Sequence, residues 1–160
     1  MDKKVRVYAM THKRFDEYGS YLYKPLFVGA AGQQDTYGYQ RDDEGDNISN
    51  KNCYYSELTG LYWIYKNVTD VDIVGCCHYR RYLIDEEEKL LSKQQIIDYL
   101  KEYDCITSKS LDLNYTYYYG FSKNHKPYYL DETRKVIKDI YPDYLEDYDD
   151  LVNDKHTYFG

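Results

Sequence analysis

Several classes of protein are excluded by what this sequence lacks. It contains no apolar run of about 18 residues, the length that a membrane-spanning helix needs, so we predict no such helix. Its N-terminus holds basic side chains but no apolar stretch like that of a signal peptide. The formal net charge is −7, whereas nonspecific nucleic-acid binding needs a basic face. We therefore expect a cytosolic protein with no nucleic-acid partner.

Cysteine is scarce, and its spacing matches no metal or disulfide motif. The four cysteines include the adjacent pair Cys76 and Cys77 but no C-x-x-C, so we expect reduced, buried thiols. Adjacent side chains on a strand point to opposite faces, which argues against a nucleophile pair of Cys77 with His78. The sequence also lacks the glycine-rich nucleotide motifs, H-E-x-x-H and G-x-S-x-G. The corresponding enzyme classes therefore have no support.

Tyrosine, by contrast, is abundant. There are 24 tyrosines beside one tryptophan and four phenylalanines. Tyrosine packs as an apolar ring and keeps a hydroxyl for hydrogen bonding, so many tyrosines can line a sugar or nucleobase site. An AT-rich genome that uses tyrosine at most aromatic positions explains the same composition.

The order of apolar segments predicts an α/β fold. Strand-like runs occupy residues 5–9, 26–31, 71–77 and 104–108, and helical patterns lie between the later ones. The run at 71–77 is almost continuously apolar, which is typical of a parallel strand covered on both faces. Residues 32–52 have the composition of a long polar loop. We predict one domain over residues 1–160 with a mostly parallel sheet flanked by helices.

Two helices have recognisable signals. One begins near Cys53 and ends at Asn67, and its predicted inward positions are Leu58, Leu61, Tyr62 and Tyr65, with Trp63 and Ile64 widening that face. Gly60 inside this helix predicts close packing against a neighbour. Ser92 and Gln95 form a capping box that opens another helix. Residues 154–160 resemble the start of a further strand, so we expect a fragment of a longer chain.

Basic residues follow two of the predicted strands. Thr11, His12 and Lys13 follow the first, and residues 78–81, His-Tyr-Arg-Arg, follow the strand at 71–77. Ligands of open parallel sheets bind beyond the carboxyl ends of the strands. Arginine binds phosphate oxygens in bidentate fashion, so an anionic ligand such as a nucleotide diphosphate fits these clusters. The alternative is that Arg80 and Arg81 pair with carboxylates on the surface.

A second group of polar residues is acidic. The loop D-D-E-G-D-N-I-S, residues 42–49, concentrates carboxylates that suit a hard cation or sugar hydroxyls. They could also meet Arg80 and Arg81 across a cleft. It lacks the alternating spacing of a calcium loop, and a plain solvated loop is the alternative.

Three motifs in this order resemble a known family. They are D-x-x-G-D-N-I-S (residues 42–49), E-L-T-x-L-Y-W (57–63) and H-Y-R-R-Y (78–82). The chain resembles, from about Val5 to Gly160, a bacterial family of capsular and exopolysaccharide biosynthesis proteins, long catalogued as a domain of unknown function. The resemblance implies a GT-A-like fold and glycosyltransferase activity, with galactofuranosyltransferases among the members. It also implies a C-terminal part beyond residue 160.

The resemblance assigns roles to individual residues. It places Thr11, His12 and Lys13 at the nucleotide end of the first strand, and Glu57 at the start of the helix behind the acidic loop. The residues that match its acidic motif include Asp43, Asp46, Asn47 and Ser49. The place where most GT-A enzymes have a metal-binding D-x-D is taken here by His78, Arg80 and Arg81. Tyr79, which lies among them, is a predicted binding residue. Cationic side chains can neutralise the departing diphosphate directly. The motifs leave two possibilities open: the cations replace the metal ion, or Mn²⁺ or Mg²⁺ is held by Asp43 and Asp46.

The predicted function is therefore glycosyl transfer. We expect a nucleotide-sugar donor, a UDP-sugar such as UDP-galactofuranose, and a lipid-linked saccharide acceptor of a capsular or exopolysaccharide. Such an acceptor implies peripheral association with the inner face of the membrane. Arg80 and Arg81 stabilise the diphosphate, His78 orients a phosphate or sugar hydroxyl, and Asp46 is the predicted base. The alternatives are a noncatalytic nucleotide- or sugar-binding module and a metal-dependent nucleotide-sugar hydrolase.

Overall fold

The computed structural model of the chain describes residues 3–18 and 21–157. It forms two compact units, one reaching Ile106 and the other beginning at Thr107. Each unit has its own secondary structure. The expectation of one domain over residues 1–160 stays a prediction.

The first unit is built on a parallel β-sheet. Its strands are β1 (Val5–Thr11), β2 (Tyr23–Phe27), β3 (Gln40–Arg41) and β4 (Ile73–His78). They lie in the order β3-β2-β1-β4, and every neighbouring pair is parallel. The chain adds strands on one side of β1 and then crosses to the other side, which creates a topological switch point between β1 and β4. The predicted α/β fold with a parallel sheet is confirmed.

Helices cover both faces of this sheet. They are α1 (Asn52–Tyr55), α2 (Leu58–Asn67) and α3 (Lys93–Tyr99), and a 3₁₀ turn at Ser49–Lys51 precedes α1. Because side chains alternate along a strand, Tyr8 and Met10 pack with Trp63 and Ile64 of α2. Val7 points to the other face, where Tyr23, Leu91 and Ile96 cover it. The two apolar clusters together form the core of the unit.

The inward face of α2 differs from the predicted one. Leu58, Leu61 and Tyr65 are exposed, and the buried positions are Thr59, Gly60, Trp63 and Ile64. Trp63 and Ile64 are therefore buried as predicted, whereas Leu58, Leu61 and Tyr65 are not. Both sets of positions have helical spacing, so the predicted periodicity was right, but the buried face is rotated from the predicted one. The close packing predicted at Gly60 is confirmed, since an added Cβ would lie 2.7 Å from Cγ1 of Val28.

The predicted boundaries of several elements are corrected as well. The helix expected from Cys53 is interrupted at Ser56, where φ is +49°. The second strand is Tyr23–Phe27 and not 26–31, because the chain turns at Gly29 with φ of +69°. The segment expected to be all loop, 32–52, contains β3 and the 3₁₀ turn. Asn67 ends α2 as predicted.

Residues 104–108 do not form the predicted fourth strand. The segment is irregular, although Ile106 packs against the apolar cluster on the α3 side of the sheet. Its apolar character therefore reflects side-chain packing without backbone pairing. The capping box is confirmed: the Ser92 hydroxyl accepts from the amide of Gln95 at 3.3 Å, and the Gln95 side chain accepts from the amide of Ser92 at 2.9 Å.

The cysteines are free but not buried. Cys53, Cys76 and Cys105 are exposed and Cys77 is half-buried, so the predicted reduced state agrees with the structure and the predicted burial is wrong. Strand β4 lies at one edge of the sheet, which leaves outward-facing positions such as Cys76 open to solvent. No helix in the described residues is both long and apolar enough to cross a membrane.

The second unit is mostly helical. It contains α4 (Tyr117–Asn124), α5 (Tyr128–Ile140) and α6 (Leu145–Asn153), with a 3₁₀ turn at Pro142–Tyr144. Two short strands, β5 (Leu111–Asp112) and β6 (His156–Thr157), pair in antiparallel fashion. Strand β6 confirms the strand expected near the C-terminus, and residues 158–160 lie outside the described residues. The guanidinium of Arg134 joins α5 to α6 through two hydrogen bonds to Asp149.

Candidate active site

The carboxyl ends of β1 and β4 lie side by side at the switch point of the sheet. Met10 of β1 is in register with His78 of β4. The amide of Tyr79 donates to the carbonyl of Met10 at 3.0 Å, which carries the pairing one residue past β4. The two basic segments predicted at strand ends therefore leave the sheet together, in the place where parallel α/β proteins bind ligands.

Four basic side chains surround the ring of Tyr79 at this point. The ammonium nitrogen of Lys13 lies 5.6 Å from the ring centre, and the guanidinium carbon of Arg80 lies 5.2 Å from it. The imidazole centres of His12 and His78 lie 5.7 Å and 4.3 Å from the same ring. The Tyr79 ring is buried, whereas His12, Lys13 and Arg80 are exposed. We call these five residues the basic cluster; it presents cations to solvent on a fixed aromatic support.

The loop after β1 is shaped by Thr11. Its buried hydroxyl donates to the carbonyl of Lys13 at 2.6 Å and accepts from the amide of Lys13 at 3.1 Å. Both bonds are local, and they turn the chain so that Lys13 reaches Tyr79. Thr11 therefore positions the cluster from beneath.

His78 has a defined tautomer and a lowered pKa. Its Nδ1 accepts from the amide of Arg80 at 3.2 Å, so a neutral ring has its hydrogen on Nε2. Burial lowers the pKa of His78, and the charge of Arg80 lowers it further, while Glu57 opposes the shift. At neutral pH His78 is therefore a hydrogen-bond donor through Nε2.

Glu57 is the carboxylate beside this cluster. Its Oε1 lies 3.8 Å from Nε2 of His78, and its Oε2 accepts from the hydroxyl of Ser56 at 2.7 Å. The bond from Ser56 is the main cause of the lowered pKa of Glu57, with a smaller contribution from His78. The turn at Ser56 places Glu57 immediately before α2, and this end of the helix points toward the strand ends. Glu57 is therefore ionised at neutral pH and lies beside His78.

Arg81 follows the cluster in the same turn. Its amide donates to the carbonyl of His78 at 2.8 Å, and its side chain is exposed. Its charge also lowers the pKa of His78. The structure thus brings together seven of the predicted site residues: Thr11, His12, Lys13, His78, Tyr79, Arg80 and Arg81, with Glu57 beside them.

The acidic loop has a different organisation. Its centre is Asp42, the first residue of the D-x-x-G-D-N-I-S motif, to which the sequence analysis assigned no role. Asp42 is fully buried. Its carboxylate accepts from the amides of Gly29 at 2.8 Å and Ala30 at 2.9 Å, from the hydroxyl of Thr59 at 2.7 Å and from the hydroxyl of Ser49. Asp42 therefore ties the turn after β2 to α2.

The hydrogen-bond network around Asp42 also occupies the carboxyl end of β2. The amide of Ala31 donates to the hydroxyl of Ser49 at 3.0 Å, next to the amides of Gly29 and Ala30 that donate to Asp42. A carboxylate inside the protein therefore takes the backbone donors that a phosphate would need. Ser49 itself is buried, so the structure places this predicted binding residue inside the network.

Asp43 and Asn47 shape the acidic loop. The guanidinium of Arg41 makes two hydrogen bonds to Asp43, at 2.8 Å and 2.7 Å, and they lower the pKa of Asp43. The amide group of Asn47 donates to the carbonyls of Asp43 at 2.9 Å and Gly45 at 2.8 Å. Both predicted binding residues thus contact their own loop.

Asp46 lies away from the basic cluster. Its carboxylate accepts from the hydroxyl of Tyr62 at 3.1 Å and lies 4.0 Å from the ammonium of Lys66, and its amide donates to Asn67 at 3.2 Å. Helix α2 rises about 1.5 Å per residue, so these partners lie roughly 7–15 Å along the helix from Glu57. The structure does not bring Asp46 beside His78.

The metal alternative does not fit these residues. Asp43 is held by Arg41, and Asp46 contacts Tyr62 and Lys66, so the two carboxylates do not converge. Among the residues that the structure describes, no group of three or more histidine, cysteine or acidic side chains could hold a metal ion. A D-x-D-like metal centre therefore has no support from the side chains present.

The protein has an α/β fold, and the basic cluster lies at the switch point of its parallel sheet. Residues 6–160 match the family described as "Domain of unknown function (DUF4422)", and the chain belongs to this family. No curated protein matches the chain.

One solved structure shares the fold. The apo structure of the WbbM bifunctional glycosyltransferase superimposes with a TM-score of 0.73 at 22% sequence identity. The match covers 98% of this chain and 33% of that chain, so this chain spans about a third of its length. The predicted resemblance to a glycosyltransferase fold is therefore confirmed at the level of the fold.

Proposed function

We propose that this protein is a glycosyltransferase whose basic cluster binds the diphosphate of a nucleotide-sugar donor. The observation behind this proposal is the set of Lys13, His12, His78 and Arg80 around one buried tyrosine ring at the switch point. Exposed cations on a net-acidic chain suit a compact anion, and a fixed arrangement of donors is what stabilises charge that develops on a leaving group. The fold shared with a solved glycosyltransferase supports the same reaction class.

In the proposed reaction, the acceptor hydroxyl oxygen forms a bond to the anomeric carbon of the sugar. The bond from that carbon to the phosphate oxygen breaks, and the nucleoside diphosphate leaves with the electron pair. Lys13 and Arg80, aided by Arg81, neutralise the negative charge of the diphosphate. These side chains take the role that a bound metal ion has in most GT-A enzymes. His78 donates from Nε2 to a phosphate or sugar oxygen.

Glu57 replaces Asp46 as the proposed base. A general base must reach the proton that it removes, and Glu57 lies beside the cluster whereas Asp46 faces Tyr62. Glu57 is ionised at neutral pH, so its carboxylate can accept the proton of the acceptor hydroxyl. The carboxylate then returns the proton to solvent after the product leaves.

The donor and acceptor remain those predicted from the sequence. The donor is a UDP-sugar, UDP-galactofuranose among the candidates, and the acceptor is a lipid-linked saccharide of a capsular or exopolysaccharide. Peripheral association with the inner face of the membrane follows from such an acceptor.

The test is a release assay on the full chain. UDP release from a panel of UDP-sugars is measured with and without saccharide acceptors, in EDTA and in Mn²⁺. Acceptor-dependent release that persists in EDTA is the expected result. Release without acceptor indicates a hydrolase, and UDP binding with no release indicates a noncatalytic binding module; either result overturns the proposal.

The variant Arg80→Ala tests the placement of the site. Arg80 is exposed, so we expect normal folding and a dissociation constant for UDP raised about tenfold, equivalent to about 1.4 kcal/mol. Lys135→Ala removes an exposed cation of α5 and is the matched control, with UDP binding unchanged. Equal UDP affinity in both variants and the wild type would place the anion site elsewhere.

A further inference from the structure

A cavity lies on the sheet face beside the basic cluster. Parallel strands are usually joined through a helix, but the described residues of the β1–β2 connection, 12–18 and 21–22, contain none. The part of the sheet formed by Ala9, Tyr23 and Pro25 is therefore covered by loop residues and by Tyr82, which enclose a cavity of about 240 Å³. Its size suits one ring of a ligand and not a whole nucleotide.

Aromatic rings form the walls of this cavity, and their angles restrict what fits. Tyr18 and Tyr82 are 6.2 Å apart at an interplanar angle of 79°, and Tyr23 and Tyr82 are 5.4 Å apart at 63°. Tyr82 therefore meets each of the other two rings at a steep angle, and neither pair offers the parallel faces between which a flat nucleobase stacks. A puckered sugar ring can place its C–H face on one tyrosine and its hydroxyls toward the edge of the next.

Two charged side chains complete the lining. Glu17 and Lys24 both border the cavity, and both are exposed. A carboxylate accepts hydrogen bonds from sugar hydroxyls, and an ammonium group donates to them. Aromatic faces with one acceptor and one donor group are the chemistry that a hydroxyl-rich ring requires.

The cavity lies one ring away from the basic cluster. Phe15 lines the cavity, and its ring centre is 5.6 Å from that of Tyr79. A ligand ring in the cavity would therefore lie next to the site assigned to the diphosphate. We propose that this cavity binds one sugar ring of the saccharide acceptor, an assignment that rests on the proposed transferase function.

The experiment measures saccharide and UDP binding separately on the full chain. Saturation-transfer NMR with a panel of methyl glycosides reports the first, and calorimetry with UDP reports the second. The variants are Tyr18→Ala and Tyr21→Ala, whose side chains line the cavity but are 62% and 78% exposed, so the core is untouched. Tyr54→Ala, which removes an 85% exposed tyrosine of α1 outside the cavity lining, is the matched control.

We expect glycoside affinity to fall about tenfold in both cavity variants and to stay unchanged in Tyr54→Ala, with UDP affinity constant throughout. Weakened UDP binding with unchanged glycoside binding would make the cavity a nucleobase site and overturn the proposal. Absence of glycoside binding by the wild type would overturn it as well. Failure of the proposed transferase function would be seen separately: UDP would not bind in the calorimetry, or UDP would be released from the UDP-sugar without an acceptor.

Discussion

Atom Nε2 of His78 lies 3.8 Å from Oε1 of Glu57, which joins the end of β4 to the start of α2. The crossover from α2 to β4 brings the two residues together, because the helix runs back along the sheet and begins near the strand ends. The pair places a lowered-pKa imidazole and an ionised carboxylate beside exposed cations. Perturbed groups that share a cleft with a charged partner are typical of functional sites.

The first prediction concerns the pKa of His78. Nitrogen-15 NMR titration should give a pKa below the ordinary value of about 6.5. Glu57→Gln should lower it further, since the carboxylate favours the charged ring, and Arg80→Ala should raise it. His156 in the same spectra is the internal control, because its contact with Asp154 raises its pKa. A His78 pKa that does not respond to either variant would contradict the described geometry.

The same shift has a consequence for stability. The pKa of His78 is lower in the folded state, so below about pH 6.5 the unfolded state binds more protons at this site. The contribution of His78 is therefore fully present above that pH and is lost as the pH falls through the folded pKa. In thermal melts across pH 5 to 8, the wild type should therefore lose stability relative to His78→Gln as the pH falls.

A second prediction concerns the buried carboxylate of Asp42. Asp42→Ala leaves the amides of Gly29 and Ala30 without their acceptor, and each buried unsatisfied group costs about 1–3 kcal/mol. We expect the free energy of unfolding to fall by about 3–5 kcal/mol. Denaturant titration measures it, with Asp46→Asn, an exposed acidic position, as the control within about 0.5 kcal/mol. Equal stabilities would contradict the network.

A third prediction separates the role of the Tyr79 ring from that of its hydroxyl. Tyr79→Phe keeps the aromatic face under Lys13 and Arg80, so UDP and pyrophosphate affinity should stay within about twofold of the wild type. Tyr79→Leu removes the face and should weaken both ligands about tenfold. Calorimetry gives the affinities, and melting curves report the separate cost of the core change. Similar affinity in Phe and Leu variants would show that the ring is only a packing residue.

A fourth prediction tests the packing at Gly60. A Cβ there would lie 2.7 Å from Cγ1 of Val28 and 3.2 Å from Sδ of Met10. Overpacking costs about 1–3 kcal/mol, and alanine returns about 1 kcal/mol of helix propensity, so Gly60→Ala should be near neutral to moderately destabilising.

Gly60→Val should therefore be clearly worse than Gly60→Ala, because its branched side chain adds volume at the same contact. Tyr65→Ala, at a 79% exposed position of the same helix, is the control and should change the unfolding free energy by about 0.5 kcal/mol or less. A valine variant as stable as the wild type would show that α2 can move away from the sheet.

Local sequence patterns were enough to predict the class of fold and part of the candidate site. Apolar runs and capping signals are formed by residues close together in the sequence. The polar residues that directly follow a predicted parallel strand can be read from the sequence in the same way, and such residues face a ligand site in many α/β proteins. The sequence alone therefore identified the α/β fold and the basic residues after β1 and β4. The motif resemblance added Glu57, whose contact with His78 the structure then supplied.

The tertiary structure alone decided which face of α2 is buried and which of the adjacent acids matter. Asp42, Asp43 and Asp46 are alike in sequence, yet one is buried among four donors, one is held by Arg41 and one faces Tyr62. These differences come from contacts between elements far apart in the chain. Periodicity determines that a helix or strand forms, but its rotation and the packing of the crossovers determine which side chains meet.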